Sequence, residues 1–233
     1  MKRSPDEQAQ LKLSQSGAGC YSEAVSRCRF KARRDRIFKS LSMLSVIIPT
    51  LNSERMLVPT LAMLISGAVT GVVREVTIVD GGSTDATLQV ADAAGCEVAV
   101  SSAPLGTRLS AAAAAARSPW LMFLRAGTVL DATWLEEAAR FIEEVESSGA
   151  YRSAAVFRKS VSMRSAYPVM LEALALLKFA LFGRAHPDQG LLIDGRFYKE
   201  IGGHRDTVAD PEADLLARLG RRRILMLRSG ARR

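Results

Sequence analysis

The stretch from Leu44 to Asp85 sets what this chain can become. It opens with Leu-Ser-Val-Ile-Ile-Pro-Thr-Leu-Asn-Ser-Glu (44–54) and closes with Glu-Val-Thr-Ile-Val-Asp-Gly-Gly-Ser-Thr-Asp (75–85). Each half is a short apolar run that stops at polar and turn-forming residues. Val46, Ile47 and Ile48, and again Val76, Ile78 and Val79, are too apolar for a sheet face that meets water. Such runs fit parallel strands covered on both faces. Between them Met56, Leu57, Leu61, Leu64 and Ile65 recur at roughly helical spacing, which predicts a helix over 54–66. Strand, helix, strand is a βαβ unit, and its crossover is expected to be right-handed. Both strands then hand their polar residues to the carboxyl edge of the sheet, where ligands bind in open α/β proteins.

The rest of the chain repeats this rhythm. Helices are predicted over 86–94, 110–117 and 133–146, and strands over 97–101 and 120–124. Ser83 or Thr84 is the expected N-cap of the 86–94 helix, which would offer free N–H groups to a phosphate. Residues 104–108 and 125–131 read as loops. After Gly149 come strands at 154–163, 191–194 and 223–227. Helices are expected at 168–182, 196–202 and 211–219, the last with Pro211 in its first turn. The predicted class is one α/β domain over 44–233, with a mostly parallel central sheet and helices on both faces. Residues 1–43 form a basic arm that the fold does not need.

Composition limits the function. The net charge of +8 is concentrated at the ends: residues 1–43 hold ten Lys/Arg against four Asp/Glu, and 221–233 hold six Arg and no acid. Both ends read as solvated basic tails, able to touch an anionic membrane surface peripherally. No apolar run reaches membrane-spanning length. Three cysteines without ligand-like spacing favour a reducing, cytoplasmic setting over a disulfide framework. Two histidines exclude a multi-histidine metal site. Aromatics are too sparse among the basic residues for a nucleic-acid partner, and no P-loop, Rossmann or nucleophile-elbow motif is present.

Polar clusters mark candidate chemistry at strand ends: Thr50 to Glu54, Asp80 to Asp85, Arg125 to Thr128, His186 to Gly190, and Glu212 with Asp214. An aspartate closing a buried strand can accept hydrogen bonds from a ribose or a base, and Gly81-Gly82 lets backbone approach a ligand. The same residues also suit turns and caps, and Glu212 and Asp214 also suit a helix dipole.

Taken together, Val46-Ile-Ile-Pro-Thr-Leu-Asn and Ile78-Val-Asp-Gly-Gly-Ser-Thr-Asp resemble the inverting family 2 glycosyltransferases of the GT-A fold. Phe123-Leu-Arg-Ala-Gly-Thr resembles the Phe-Leu-His-Ala-Asp-Thr motif of a small bacterial subgroup, the radical-SAM/selenodomain-associated glycosyltransferases. Asp188-Gln-Gly, Gly202-Gly203, Glu212-Ala-Asp-Leu-Leu-Ala-Arg-Leu and Ser229-Gly-Ala-Arg-Arg are similar to that subgroup too.

The resemblance implies transfer of a sugar from a nucleotide-sugar donor to a hydroxyl acceptor. It implies donor binding by Pro49, Thr50, Asn52, Glu54, Asp80, Gly81, Gly82, Ser83, Arg108, Arg125, Asp188 and Gln189. Asp80 would hold the base or ribose. Glu212 is the positional match for the general base and Asp214 the near alternative. The family's metal-binding aspartate falls on Gly127, so an Mg2+ or Mn2+ ion on the diphosphate would lack its main carboxylate. Arg125 could neutralise the diphosphate instead, or Asp131 or Asp188 could supply a ligand. The alternatives are a nucleotide-sugar-binding protein without turnover and a nucleotidyltransferase-like enzyme.

Overall fold

The computed structural model describes residues 44–159, 185–206 and 208–233. The arm at 1–43 and the helix expected at 168–182 lie outside the described residues. In chain order the elements are β1 (Leu44–Thr50), α1 (Glu54–Val69), β2 (Val73–Asp80), α2 (Thr87–Ala93), β3 (Glu97–Val100), α3 (Leu105–Ala115), β4 (Trp120–Phe123), β5 (Val129–Leu130), α4 (Trp134–Ser148), β6 (Ala154–Lys159), β7 (Leu191–Asp194), α5 (Gly195–Glu200), α6 (Pro211–Leu219) and β8 (Ile224–Arg232). A short 3₁₀ turn over Pro187–Gln189 precedes β7.

The strands form one eight-stranded sheet in the order β3-β2-β1-β4-β7-β6-β8-β5. The pairs β3-β2, β2-β1, β1-β4 and β6-β8 are parallel, and β4-β7, β7-β6 and β8-β5 are antiparallel. The expected βαβ unit is present, with Thr50 directly opposite Asp80. Pro49 sits in a central strand without costing a ladder bond, because the β1–β4 pairing ends at Ile47 and Phe123.

Both faces of the sheet are covered. On one, Ile47, Val79, Leu121, Phe123, Val156 and Ile193 pack against Leu109 of α3, Phe197 of α5 and Leu215 and Leu219 of α6. Val46, Ile48, Ile78 and Met122 alternate to the other face and are fully buried. There α1 comes so close that a Cβ on Gly67 would lie 2.6 Å from Val73 Cγ2 and 3.0 Å from the Trp134 ring. At the amino edge, buried Glu75 ties three segments together. It accepts from the Ser45 hydroxyl and from the Arg117 backbone N–H and guanidinium. Burial works to raise this carboxyl, but those bonds outweigh it and hold Glu75 below its ordinary value.

Several expectations need correction. The 110–117 helix begins at Leu105, so Arg108 lies in its first turn rather than in a loop. The 125–131 loop contains β5. The largest difference concerns the basic end. The strand expected at 223–227 continues to Arg232, and the segment read as a solvated tail is built into the sheet. Its Arg158–Gly230 and Lys159–Ala231 register with β6 and its Val129–Arg232 register with β5 hold it there. Ser229, Gly230 and Ala231 are buried. These residues are too small to register as an apolar run, which is why the arginines dominated the reading of the sequence.

One consequence positions the site. β1, β2, β3 and β4 end at one edge of the sheet. The antiparallel β7 starts there, opposite Phe123, and β6 and β8 end there. Loops at 51–53, 81–86, 101–104, 124–128 and 186–190 and the end of β8 therefore converge on that edge.

Candidate active site

The loops after β1 and β2 are laced to each other by their motif residues. Asn52 adopts the left-handed conformation (φ 48°). Its backbone N–H donates to Ser83 Oγ (2.8 Å) and its Oδ1 accepts from the Thr84 N–H (2.9 Å). Glu54 N–H donates to Asp85 Oδ2 (3.2 Å), Glu54 Oε2 accepts from the Ala86 N–H (3.4 Å), and Ser53 N–H donates to Thr87 Oγ1 (2.8 Å). Asn52 and Asp80 thus lie on one rim, as the sequence suggested.

Asp80 itself is fully buried. Its Oδ1 accepts from the hydroxyls of Thr50 (2.8 Å) and Ser83 (2.5 Å), and its Oδ2 from the N–H groups of Gly82 (2.8 Å) and Ser83 (2.6 Å). Those four bonds fill the acceptor capacity of a carboxylate. Burial opposes ionisation, yet the bonds outweigh it and hold Asp80 below the usual carboxylate range. In this structure Asp80 shapes the turn that a ligand would meet, rather than presenting a free oxygen. The N-cap of α2 is Ala86, not Ser83 or Thr84. The Ala86 and Thr87 N–H groups at its start are taken by Glu54 and Asp85. Arg108 closes the floor. Its guanidinium donates to Val79 O (3.1 Å) and Ala103 O (2.9 Å), and a Cβ on Gly81 would lie 3.1 Å from it.

The second half of the site is built around Arg125, just past the end of β4. Its guanidinium meets three carboxylates: Glu212 at 2.6 Å, Asp188 at 3.4 Å and Asp210 at 3.4 Å. Glu212 stands in the first turn of α6. Asp210 caps that helix by accepting from the N–H groups of Glu212 (3.2 Å) and Ala213 (3.0 Å), which fixes the Glu212 backbone. The Glu212 side chain is only 8% exposed. Burial pushes its carboxyl above the ordinary value, against the opposing pull of Arg125. Asp188 also pairs with Arg233 Nη1 (2.8 Å) and His186 Nδ1 (3.2 Å). Burial works to raise Asp188, but the Arg233 guanidinium first, and then the charge of Arg125, hold it below its usual value.

Two expected site residues serve the scaffold. Gln189 is buried, accepts from the His186 N–H (2.6 Å) and donates to Phe157 O (2.8 Å), so both ends of its amide are spent on backbone. Asp214 pairs with Arg218 (2.7 Å), whose guanidinium also holds the carbonyls of Ile201 and Gly203. It braces the Gly202-Gly203 turn, so of Glu212 and Asp214 it is Glu212 that meets Arg125. Sequence reasoning missed Asp210, whose signal was an N-cap position just before Pro211. It also missed Arg233, whose only signal was the Ser-Gly-Ala-Arg-Arg resemblance.

Among the described residues, those beside Gly127 do not fit a hard divalent cation. Gly127 has φ +92°, which side-chain-bearing residues rarely adopt. A Cβ there would lie 2.3 Å from Met56 Cε and 3.5 Å from Arg233 Cγ, so the direction a carboxylate would take is already filled. The adjacent Asp188 is committed to cations. Among the described residues, no group of three His, Cys, Asp or Glu is placed to hold a metal ion. Nor is any helix among them long and apolar enough to cross a membrane.

Comparison with known proteins agrees with this architecture. The model of glycosyl transferase family 2 matches residues 45–181, more than half of the chain. A search of curated protein sequences finds no match. Among solved structures, the chain is similar to glucosyl-3-phosphoglycerate synthase from Mycobacterium tuberculosis, solved with Mn2+, UDP and glucosyl-3-phosphoglycerate. That match has a TM-score of 0.55 and 20% identity, covering 81% of this chain and 70% of that one. It is also similar to S. aureus TarS (TM-score 0.58, 19% identity, 80% of this chain and 35% of that one). A third is the mannosyltransferase PcManGT from Pyrobaculum calidifontis with GDP-Man and Mn2+ (TM-score 0.60, 13% identity, 82% of this chain and 56% of that one). The chain therefore spans about a third of TarS and about half of PcManGT, and at these identities the likeness is one of fold. With the family model lying across β1 to β4, the loops at 50–54 and 80–85 and Arg125, this chain belongs to glycosyl transferase family 2 and is a glycosyltransferase.

Proposed function

We propose that the protein is an inverting transferase that moves a sugar from a nucleotide-diphosphate donor to a hydroxyl acceptor, with Glu212 as the general base. The nucleoside sits against the laced loops at 50–54 and 80–85 and over Arg108, and the sugar lies toward Arg125. β2 and β1, which carry the nucleoside loops, stand two spacings and one spacing from β4, which carries Arg125, about 10 Å and about 5 Å, a span that suits a nucleoside joined to a diphosphate. The acceptor hydroxyl gives its proton to the Glu212 carboxylate as its oxygen attacks the anomeric carbon. The bond from that carbon to the diphosphate breaks, and the nucleoside diphosphate leaves with the electron pair.

The observation that carries this reading is Glu212 itself. It is a buried carboxylate, backbone-fixed by Asp210, at the same sheet edge as the nucleotide loops. One observation favours a second reading, binding without turnover: Arg125 holds a Glu212 carboxylate oxygen at 2.6 Å, so an acceptor hydroxyl must compete with a guanidinium for it. The test is donor hydrolysis and transfer with UDP-, GDP- and dTDP-sugars, together with thermal-shift measurement of donor binding. The proposal expects turnover that disappears in Glu212→Gln while binding survives. Unchanged turnover in that variant removes Glu212 from the mechanism, and stabilisation by no nucleotide removes the donor site.

A further inference from the structure

We propose that the donor diphosphate is taken by two guanidinium groups, those of Arg125 and Arg233, in place of a divalent cation. This rests on the nucleotide-sugar reading above and says how this chain meets the charge of that donor. The expected carboxylate position is Gly127, and the space beside it holds Met56 and the Arg233 side chain. Arg233 is carried there by the last strand: β8 pairs with β5 through Arg232 and Val129, which delivers the next residue beside Gly127 and Asp188. Arg125 reaches the same oxygen, Asp188 Oδ1, that Arg233 holds. Two cations therefore flank one carboxylate at the sheet edge where the nucleotide loops also end. A guanidinium presents a planar fork of donors that matches phosphate oxygens.

The local charge decides how such a clamp works. Asp188, Asp210 and Glu212 outnumber the two arginines, so a diphosphate exchanges with a carboxylate rather than adding to the cluster. The contacts differ in strength. Arg125 holds Glu212 at 2.6 Å but Asp188 at 3.4 Å, so it can turn toward a phosphate without giving up Glu212. Arg233 is 42% exposed and binds Asp188 through Nη1, a surface pair of the kind that exchanges readily. Asp188 is then the competitor of the diphosphate, not a partner in binding it. This gives the proposal a sign that a metal site would reverse.

Calorimetric titration of the full chain with UDP, GDP and dTDP, and with the matching monophosphates, in EDTA and in Mn2+, tests it. The diphosphate that binds is expected to do so in EDTA within about threefold of its affinity in Mn2+. Arg233→Gln should weaken the diphosphate about tenfold and the monophosphate far less. Asp188→Asn should tighten the diphosphate in EDTA. Diphosphate binding that requires Mn2+, or Asp188→Asn that weakens it, overturns the clamp while leaving the donor site standing. Binding of no nucleotide in either buffer overturns the donor site and the clamp together. Arg125 is not removed in this test, because its loss leaves buried Glu212 unpaired and endangers the fold; Arg233 and Asp188 carry the measurement.

Discussion

His204 should make the fold acid-sensitive in a range where the carboxylates are still ionised. The imidazole is buried, edge-on to Phe123 at 4.7 Å between ring centroids. Its Nδ1 lies 2.9 Å from the Tyr198 hydroxyl oxygen, and the His204 backbone N–H donates to that same oxygen at 3.1 Å. With Nδ1 unprotonated, the Tyr198 hydroxyl donates to it. A protonated ring would reverse that bond and place a charge in a buried site. Burial first, and then the charge of Arg218, depress His204 from 6.5 to about 4. The unfolded chain thus binds the proton more readily than the folded one, so stability is complete above the unfolded value and falls as pH drops toward the folded one. The whole gap is worth about 3 kcal/mol, and the portion between pH 7 and pH 5 about 2 kcal/mol. Urea unfolding at both pH values, for the native chain and for His204→Asn, measures it. Asparagine keeps an acceptor near Nδ1 but cannot titrate. The native chain should lose about 2 kcal/mol more than the variant on acidification. Glu212, raised by burial, contributes with the opposite sign, but both proteins contain it and it cancels in the difference. Parallel pH dependence in the two proteins would refute the reasoning.

Three further outcomes are expected. Asp80→Asn turns an amide N–H toward donors and removes a charge that four bonds require, so denaturant unfolding should show a loss of roughly 2–4 kcal/mol, together with loss of nucleotide binding. Gly127→Ala must adopt φ +92° and displace the Met56 tip. It should cost roughly 1–2 kcal/mol by the same assay, of which Met56→Ala in the same chain restores only the steric part. Asp214→Asn loosens the Arg218 brace on Ile201 and Gly203, and the thermal midpoint should fall by an amount equivalent to about 1 kcal/mol.

Much of the fold was legible because strong local signals and tertiary packing agree. The run at 44–50 and the end of the run at 73–80 are buried, as central strands of a covered sheet are, and the polar residues that end them mark the binding edge. Pro211 marks the start of α6, so Glu212 could be placed from sequence in the first turn of a helix. The motif residues could be located but not given their work. Asp80, Glu54 and Gln189 have the side chains a ligand site needs, and the same acceptors and donors serve equally well to bind a neighbouring loop. Which use prevails depends on where that loop lies.

By itself the sequence determined the βαβ beginning, the family and the edge of the sheet that carries chemistry, because hydrophobic period and turn residues act over a few positions. Only the tertiary structure decided that the arginine-rich end forms an inner strand and sets Arg233 beside Gly127. That outcome depends on β8 pairing with β6 and β5, elements more than 60 residues away in the chain. Such a pairing is set by backbone hydrogen bonds and by the burial of Ser229, Gly230 and Ala231, none of which leaves a mark in local charge or hydrophobicity.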